Sequence, residues 1–219
     1  MRTLLPTLIL AATCGNSLAL AEPATLSPQE AAEGFVLLAN GTNLEGWQGS
    51  VQGYTVENGA IVCRQGGNLF TGKEYANFVL RFEFKVPPGG NNGVGIRAPL
   101  QGNAAYVGME IQVLDNDHPK YANLQPYQFH GSVYGVVPAK RGHLRPPGEW
   151  NCQEIRAEGS HIRVTLNGNV IVDADLAKIE KPYMDGHDHP GLLNKKGYIG
   201  FLGHGSPVEF RNIRIKEMK

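Results

Sequence analysis

The chain has 219 residues, with 28 glycines, 14 prolines and only 18% charged side chains, a length that suits one domain with small additions. Lys plus Arg and Asp plus Glu both number 20, so the formal net charge is +0, and no basic excess supports nucleic-acid binding or electrostatic docking on a membrane surface. Abundant Gly and Pro with few charges argue against long helices and for short strands joined by turns.

The N-terminus reads as a secretion signal over residues 1–21. Arg2 supplies the positive charge, Leu4 to Ala12 a short apolar core, and Ala19-Leu20-Ala21 a small-x-small cleavage site. The apolar run is too short to span a bilayer. The chain is therefore expected to be exported, periplasmic or secreted. Cys14 raises a lipoprotein alternative, but Ala11-Ala12-Thr13 matches poorly the small-residue run that precedes a lipidated Cys. Cleavage would leave Cys63 and Cys152, which either form a disulfide or remain two buried thiols.

Residues 22–33 are polar with two prolines and read as a linker carrying one helical turn near Ser27-Pro28-Gln29-Glu30. The folded domain is expected over 34–219. Phe35 to Leu38 is a short apolar strand, followed by a turn that ends in Trp47. Tyr54-Thr55-Val56 and Ala60-Ile61-Val62 flank Asn58-Gly59, a strong hairpin signal.

The stretch from Asn77 to Asp115 organises the rest. Phe78, Leu80, Phe82, Phe84 and Val86 alternate with Val79, Arg81, Glu83 and Lys85, the period-2 pattern of a strand with one apolar face. Gly93 to Arg97 places Val94 and Ile96 opposite Gly95 and Arg97. Met109, Ile111 and Val113 alternate with Glu110 and Gln112. If neighbouring faces agree, Arg97, Glu110 and Gln112 project from one side of a sheet, where a guanidinium, a carboxylate and an amide suit a hydroxyl-rich ligand.

Long loops are expected over 116–129, 138–149 and 174–196, the last with a helical turn near Leu176 to Ile179. A strand is expected over 131–137. Two hairpins turn at Glu158-Gly159-Ser160 and Asn167-Gly168, and strands over 197–202 and 207–215 finish the chain. Val208 and Phe210 are apolar on even positions, Ile213 and Ile215 on odd ones, so a β-bulge is expected near Arg211-Asn212. The sum is an all-β, two-sheet antiparallel β-sandwich.

Five phrases carry a family resemblance. They are Gly34 to Trp47 (GFVLLANGTNLEGW), Asn91 to Arg97 (NNGVGIR), Met109 to Asp115 (MEIQVLD), Gly148 to Asn151 (GEWN) and His204 to Lys216 (HGSPVEFRNIRIK). In this order they resemble the bacterial 3-keto-disaccharide hydrolase family. The resemblance implies a concanavalin/laminin-G-like jelly roll, an exported protein, a carbohydrate ligand, and action on glycosides already oxidised at C3. Where that family commonly has Leu-Gln-Asp-His-Gly, this chain has Phe201-Leu202-Gly203-His204-Gly205, without the two polar side chains.

A carbonyl at C3 acidifies the C2 proton and makes the C1 substituent a β leaving group. Such a site needs a base, a group for the enolate oxygen and a proton donor. Glu110 or His130 is the candidate base. Arg97 would steady the enolate or bind hydroxyls. Gln112, Asn91 and Asn92 are candidate sugar contacts, and Trp47, Tyr106 and Tyr134 candidate stacking platforms; His204 lies at the edge of the pocket. Glu110 and Arg97 could equally form a cross-strand ion pair, and His130 and His204 could serve as loop or turn histidines. A divalent metal ion is a candidate cofactor, with Asp115-Asn116-Asp117-His118 and Asp185-Gly186-His187-Asp188-His189 as oxygen- and nitrogen-rich runs, although neither has a complete ligand set by spacing. The alternative to an enzyme is a non-catalytic carbohydrate-binding module or an adhesive domain on the same fold. Glu110 and His130 discriminate, because binding needs no base.

Overall fold

The computed structural model describes residues 24–219; the signal-peptide reading, including Cys14, lies outside the described residues. Among the described residues thirteen strands form two antiparallel sheets facing each other. One sheet runs β11 (Asn169–Asp175), β10 (His161–Leu166), β9 (Trp150–Glu158), β6 (Asn77–Lys85), β13 (Glu209–Met218), β4 (Ala60–Cys63), β3 (Tyr54–Glu57), with β1 (Val36–Leu37) also paired to β13. The other runs β2 (Trp47–Gly49), β5 (Gly67–Thr71), β12 (Tyr198–Gly203), β7 (Asn91–Ala98), β8 (Met109–Leu114). This is the expected two-sheet sandwich.

The alternating pattern decides which face is inside. Phe78, Leu80, Phe82 and Phe84 of β6 and Ile155 and Ala157 of β9 meet Val94, Ile96, Met109, Ile111 and Val113 of β7 and β8 in one core. A ring column crosses it: Trp47 stacks on Phe201 at 5.4 Å, and Phe201 on Phe210 at 3.8 Å. Fully burying each large apolar side chain contributes about 1.5–3 kcal/mol, so this interface is the main source of stability. The outer face of the larger sheet is charged, with Arg81 bonded to Glu154 at 2.7 Å, Arg211 to Glu83 at 2.8 Å and Lys85 to Glu209 at 2.8 Å.

The local signals hold. Asn58 and Gly59 have φ of 50° and 77°, and Asn167 and Gly168 of 48° and 84°, the left-handed pair that a two-residue hairpin turn demands. The last strand carries its bulge: Arg211 pairs with Glu83 and Arg214 with Arg81, so two residues oppose Phe82, and Asn212 has φ 50°. The turn in residues 22–33 is α1 (Pro28–Ala32), closed by a reciprocal Ser27–Glu30 capping box. It docks onto the sheet through Glu30, which accepts from Arg214 Nε at 2.5 Å. The turn near Leu176 is a 3-10 turn over Leu176–Lys178.

Cys63 is a buried free thiol, so no Cys63–Cys152 disulfide forms. The physical reason is placement. Cys63 faces the core, fully buried, whereas Cys152 alternates with the core-facing Asn151 and Gln153 on β9. Among the described residues no helix is long and apolar enough to cross a membrane.

Candidate active site

The site lies on the outer face of the smaller sheet. Because Met109, Ile111 and Val113 enter the core, Glu110 and Gln112 turn outward. Cross-strand register places Gly95 opposite Glu110 and Gly93 opposite Gln112. The two glycines leave the neighbouring strand bare, and the Glu110 side chain lies in the space they vacate: a Cβ on Gly93 would sit 1.9 Å from Glu110 Oε1. On the far side, residues 131–137 run beside β8, with Tyr134 N donating to Glu110 O at 2.9 Å and Gln112 N to Ser132 O at 3.0 Å. The strand expected there forms as bridges, Ile111 with Val133 and Val133 with Val137.

Two loops close over this face. One carries α2 (Ala104–Val107), whose Asn103 cap accepts from Ala105 N at 3.1 Å, and which presents Tyr106. The other holds Asp185 and His189 and is tied to the first by Gly191 N donating to Tyr106 O at 2.9 Å and Asn194 Nδ2 to Val107 O at 2.8 Å. Under this cover Glu110 is only 7% exposed. Its Oε1 has no hydrogen-bond partner among the described residues. Burial without compensation raises its carboxyl from 4.5 to about 8. Buried polar atoms are nearly always paired, so an orphaned carboxyl oxygen with a raised pKa makes Glu110 a candidate functional group.

The surroundings are aromatic and polar. Tyr134 meets Tyr127 edge-on at 5.9 Å, and Tyr106 lies 4.8 Å from the His189 ring and 5.8 Å from His187. Burial raises the Tyr106 phenol, and the nearby charges of Asp185, Tyr134, Tyr127 and Glu110 act in the same direction, which places all five groups in one electrostatic neighbourhood. Gln112 is 6% exposed, with Oε1 accepting from Val113 N at 3.1 Å. Asn91, half-buried, shares the face of the glycines by alternation, and its Oδ1 is likewise without a partner among the described residues.

Four other expected residues go elsewhere. Arg97 was expected beside Glu110 and Gln112, but an extra residue enters β7 here, since Tyr198 pairs with Ala98 while Gly200 pairs with Gly95, and Arg97 takes φ 49°. The guanidinium turns away and donates to Ala76 O at 2.8 Å, Gly159 O at 2.5 Å, Asn194 O at 3.2 Å and Asn77 Oδ1 at 3.2 Å. It ties three loops together. Asn92, 0% exposed and opposite the core residue Val113, points between the sheets. Trp47 does too, with Nε1 donating to Leu38 O at 2.9 Å.

His130 is the fourth. It sits inside the sandwich, stacked 4.9 Å from the Phe84 ring, with Nε2 2.9 Å from Gln153 Oε1, and Nδ1 accepting from Leu114 N at 3.4 Å. Burial lowers it to about 4, against the opposing bond to Gln153, so it is a neutral core histidine. His204 is exposed just beyond β12, on the turn.

The acidic runs have structural partners. Asp115 Oδ2 accepts from Gly89 N at 2.7 Å, Asp117 pairs with Arg141 at 3.0 Å, and His118 Nδ1 accepts from Lys120 N at 3.3 Å. Among the described residues no group of three or more His, Cys, Asp or Glu side chains converges as a metal site. What sequence reasoning missed is a pair within the second run: His189 Nε2 lies 3.0 Å from Asp185 Oδ2, with side chains only 1% and 5% exposed. The i, i+4 spacing is visible in the sequence, but nothing local shows that a loop folds it against Tyr106 and Gly135.

The fold is a two-sheet antiparallel jelly-roll sandwich, and one outer face of it carries a buried carboxyl with no partner for Oε1 among the described residues. The chain belongs to the 3-keto-alpha-glucoside-1,2-lyase-like domain family, whose signature matches residues 34–216. It is similar to a 3-keto-disaccharide hydrolase of Bacteroides thetaiotaomicron, 29% identical over 249 residues, covering 94% of this chain and 86% of that one. Two solved structures of proteins assigned as glycosyl hydrolases from Parabacteroides distasonis ATCC 8503 superpose well. The first has a TM-score of 0.75 at 30% identity, covering 84% of this chain and 99% of the other. The second has a TM-score of 0.80 at 26% identity, covering 90% and 100%.

Proposed function

We propose that this protein is an exported carbohydrate-active enzyme that cleaves 3-keto-glycosides, including 3-keto-disaccharides, by elimination across C1–C2 followed by addition of water. The observation that carries the reading is Glu110, buried, without a partner for Oε1, and held up at about 8. The family membership and the curated relative supply the substrate class.

A proton α to a ketone is a weak acid and needs a base of comparable strength. A carboxylate raised towards neutrality is a better match than an ordinary one, while at pH 7 about one Glu110 in ten is still ionised and competent. In the forward step Glu110 takes the C2 proton and the C2–H electrons form the enolate. The C1–O bond then breaks with its electron pair leaving on oxygen, which takes a proton from a tyrosine hydroxyl of the site. This leaves a C1=C2 double bond conjugated with the C3 ketone. Water adds at C1, its proton returns to the phenolate, and Glu110, its proton exchanged with solvent while the leaving group departs, protonates C2. The net result is hydrolysis, with the enzyme restored. Gln112 and Asn91 supply amides for sugar hydroxyls, and Tyr134 and Tyr106 supply ring faces and hydroxyls. The outline differs from a two-carboxylate glycosidase, in which two carboxylates flank an oxocarbenium-like centre; Arg97, His130 and Trp47 have no part in it.

The test is turnover of 3-keto-trehalose or a 3-keto-glucoside against the unoxidised parent sugar. Cleavage of the keto form alone supports the reading. Binding without turnover of either form moves the protein to a carbohydrate-binding module.

A further inference from the structure

With Arg97 bound elsewhere, the group that meets negative charge on the reacting sugar is unassigned. Two imidazoles, His187 and His189, lie against Tyr106, and of these His189 is the one that is buried and paired. Its Nε2 is 3.0 Å from Asp185 Oδ2, and both side chains are almost wholly out of solvent. Tyr183 closes it from one side, edge-on at 5.3 Å, and Tyr106 from the other at 4.8 Å. The pair rests on Gly135, where a Cβ would come within 2.4 Å of Asp185 Oδ2 and 2.6 Å of His189 Nε2. Gly135 follows Tyr134, whose backbone is bonded to Glu110. Asp185 N also donates to Gly135 O at 3.3 Å, so the pair is fixed to the segment that borders the base.

A buried carboxylate–imidazole bond is a costly thing to place in a loop. Here one is flanked by two partly exposed phenols, Tyr106 and Tyr183, and Tyr106 is the one in the electrostatic neighbourhood of Glu110. The His189 ring packs on the ring of Tyr106 at 4.8 Å, so Tyr106 is the group through which it can act. We propose that Asp185 and His189 are positioning residues that act through Tyr106: they hold this phenol as the donor to the departing C1 oxygen. This rests on the function proposed above and names which tyrosine performs the proton transfer. The bonds are those already balanced there. Tyr106 O–H breaks as the proton goes to the leaving oxygen, and the proton of the added water restores it. Asp185 and His189 keep their own proton throughout.

Tyr106→Phe removes the donor, and His189→Gln removes the support while leaving a polar side chain. Each is expected to lower kcat by about 10²-fold with KM changed by less than about threefold, the pattern of an interaction made in the transition state. The decisive variant is the double one. If His189 works through Tyr106, His189→Gln in the Tyr106→Phe background lowers kcat by no more than about threefold further. Thermal unfolding of all three variants checks that they fold. If the two losses multiply, or if folded His189→Gln keeps wild-type kcat, the coupling is wrong while the role of Glu110 stands. If the wild-type protein itself does not turn over a 3-keto-glycoside, the proposed function fails instead.

Discussion

Replacing Glu110 by Gln separates the burial argument from any question of substrate. Glu110 has an ordinary value of 4.5 in the unfolded chain and about 8 in the folded protein. Between these values the folded protein keeps a proton that the unfolded chain has released. Stability therefore falls as pH rises through the window, and this group adds no further pH dependence below 4.5 or above 8, where the loss is complete. At about 1.4 kcal/mol for each pH unit the whole window corresponds to ~5 kcal/mol, an upper figure because water reaching the ion would lessen it. Gln has nearly the same volume and no proton to lose. Urea unfolding of wild type and Glu110→Gln at about pH 5 and about pH 9 reads the difference directly, since titrations common to both proteins cancel. The variant should be close to wild type at the lower pH and gain about 2–5 kcal/mol on it at the higher. A difference that is the same at both pH values would refute the buried, uncompensated carboxyl.

Three further outcomes follow from the geometry. Gly93→Ala puts a methyl group into the space of Glu110 Oε1, so it should lower turnover by at least about 10²-fold while circular dichroism and thermal unfolding show an intact fold. Arg97→Lys cannot reproduce a fork that reaches three carbonyls and an amide, and should cost ~3 kcal/mol in urea unfolding with KM little changed if the protein still folds. His130 runs the opposite way to Glu110. Its folded value of about 4 lies below the ordinary 6.5, so the unfolded chain binds a proton first and stability drops as pH falls through that window. His130→Asn should remove about 3 kcal/mol of that acid dependence, and unchanged acid dependence would show that His130 is not buried neutral.

Much of the fold could be read from alternation and turn chemistry. The period-2 runs in β6 and β8, the two Asn-Gly turns and the phase break at Arg211-Asn212 are local signals, and local energetics enforce them. The outward position of Glu110 and Gln112 follows from the same parity. Arg97 has the same parity and still leaves the face, because one extra residue and a positive φ in β7 turn its side chain round. Such a bulge leaves no hydrophobic phase break when it falls near a strand end. Trp47 and His130 were misplaced for another reason. An amphipathic ring suits either a sugar platform or a core, and only the packing of Phe201 and Phe84 against them decides. The Asp185–His189 pair reads in sequence as one half of a metal-ligand run. Its meaning comes from loop closure over Tyr106 and Gly135, which lie far away in the chain.

The central claim is that Glu110 exchanges the C2 proton of a 3-keto sugar. The most direct measurement is the reaction of wild type and Glu110→Gln with a 3-keto-glucoside in heavy water, with deuterium read at each carbon of the product by NMR. The account predicts that the wild-type product carries solvent deuterium at C2 beyond the level of spontaneous exchange, and that Glu110→Gln forms little product and little label. Rapid cleavage by wild type with C2 unlabelled would contradict it, as would full cleavage by the variant.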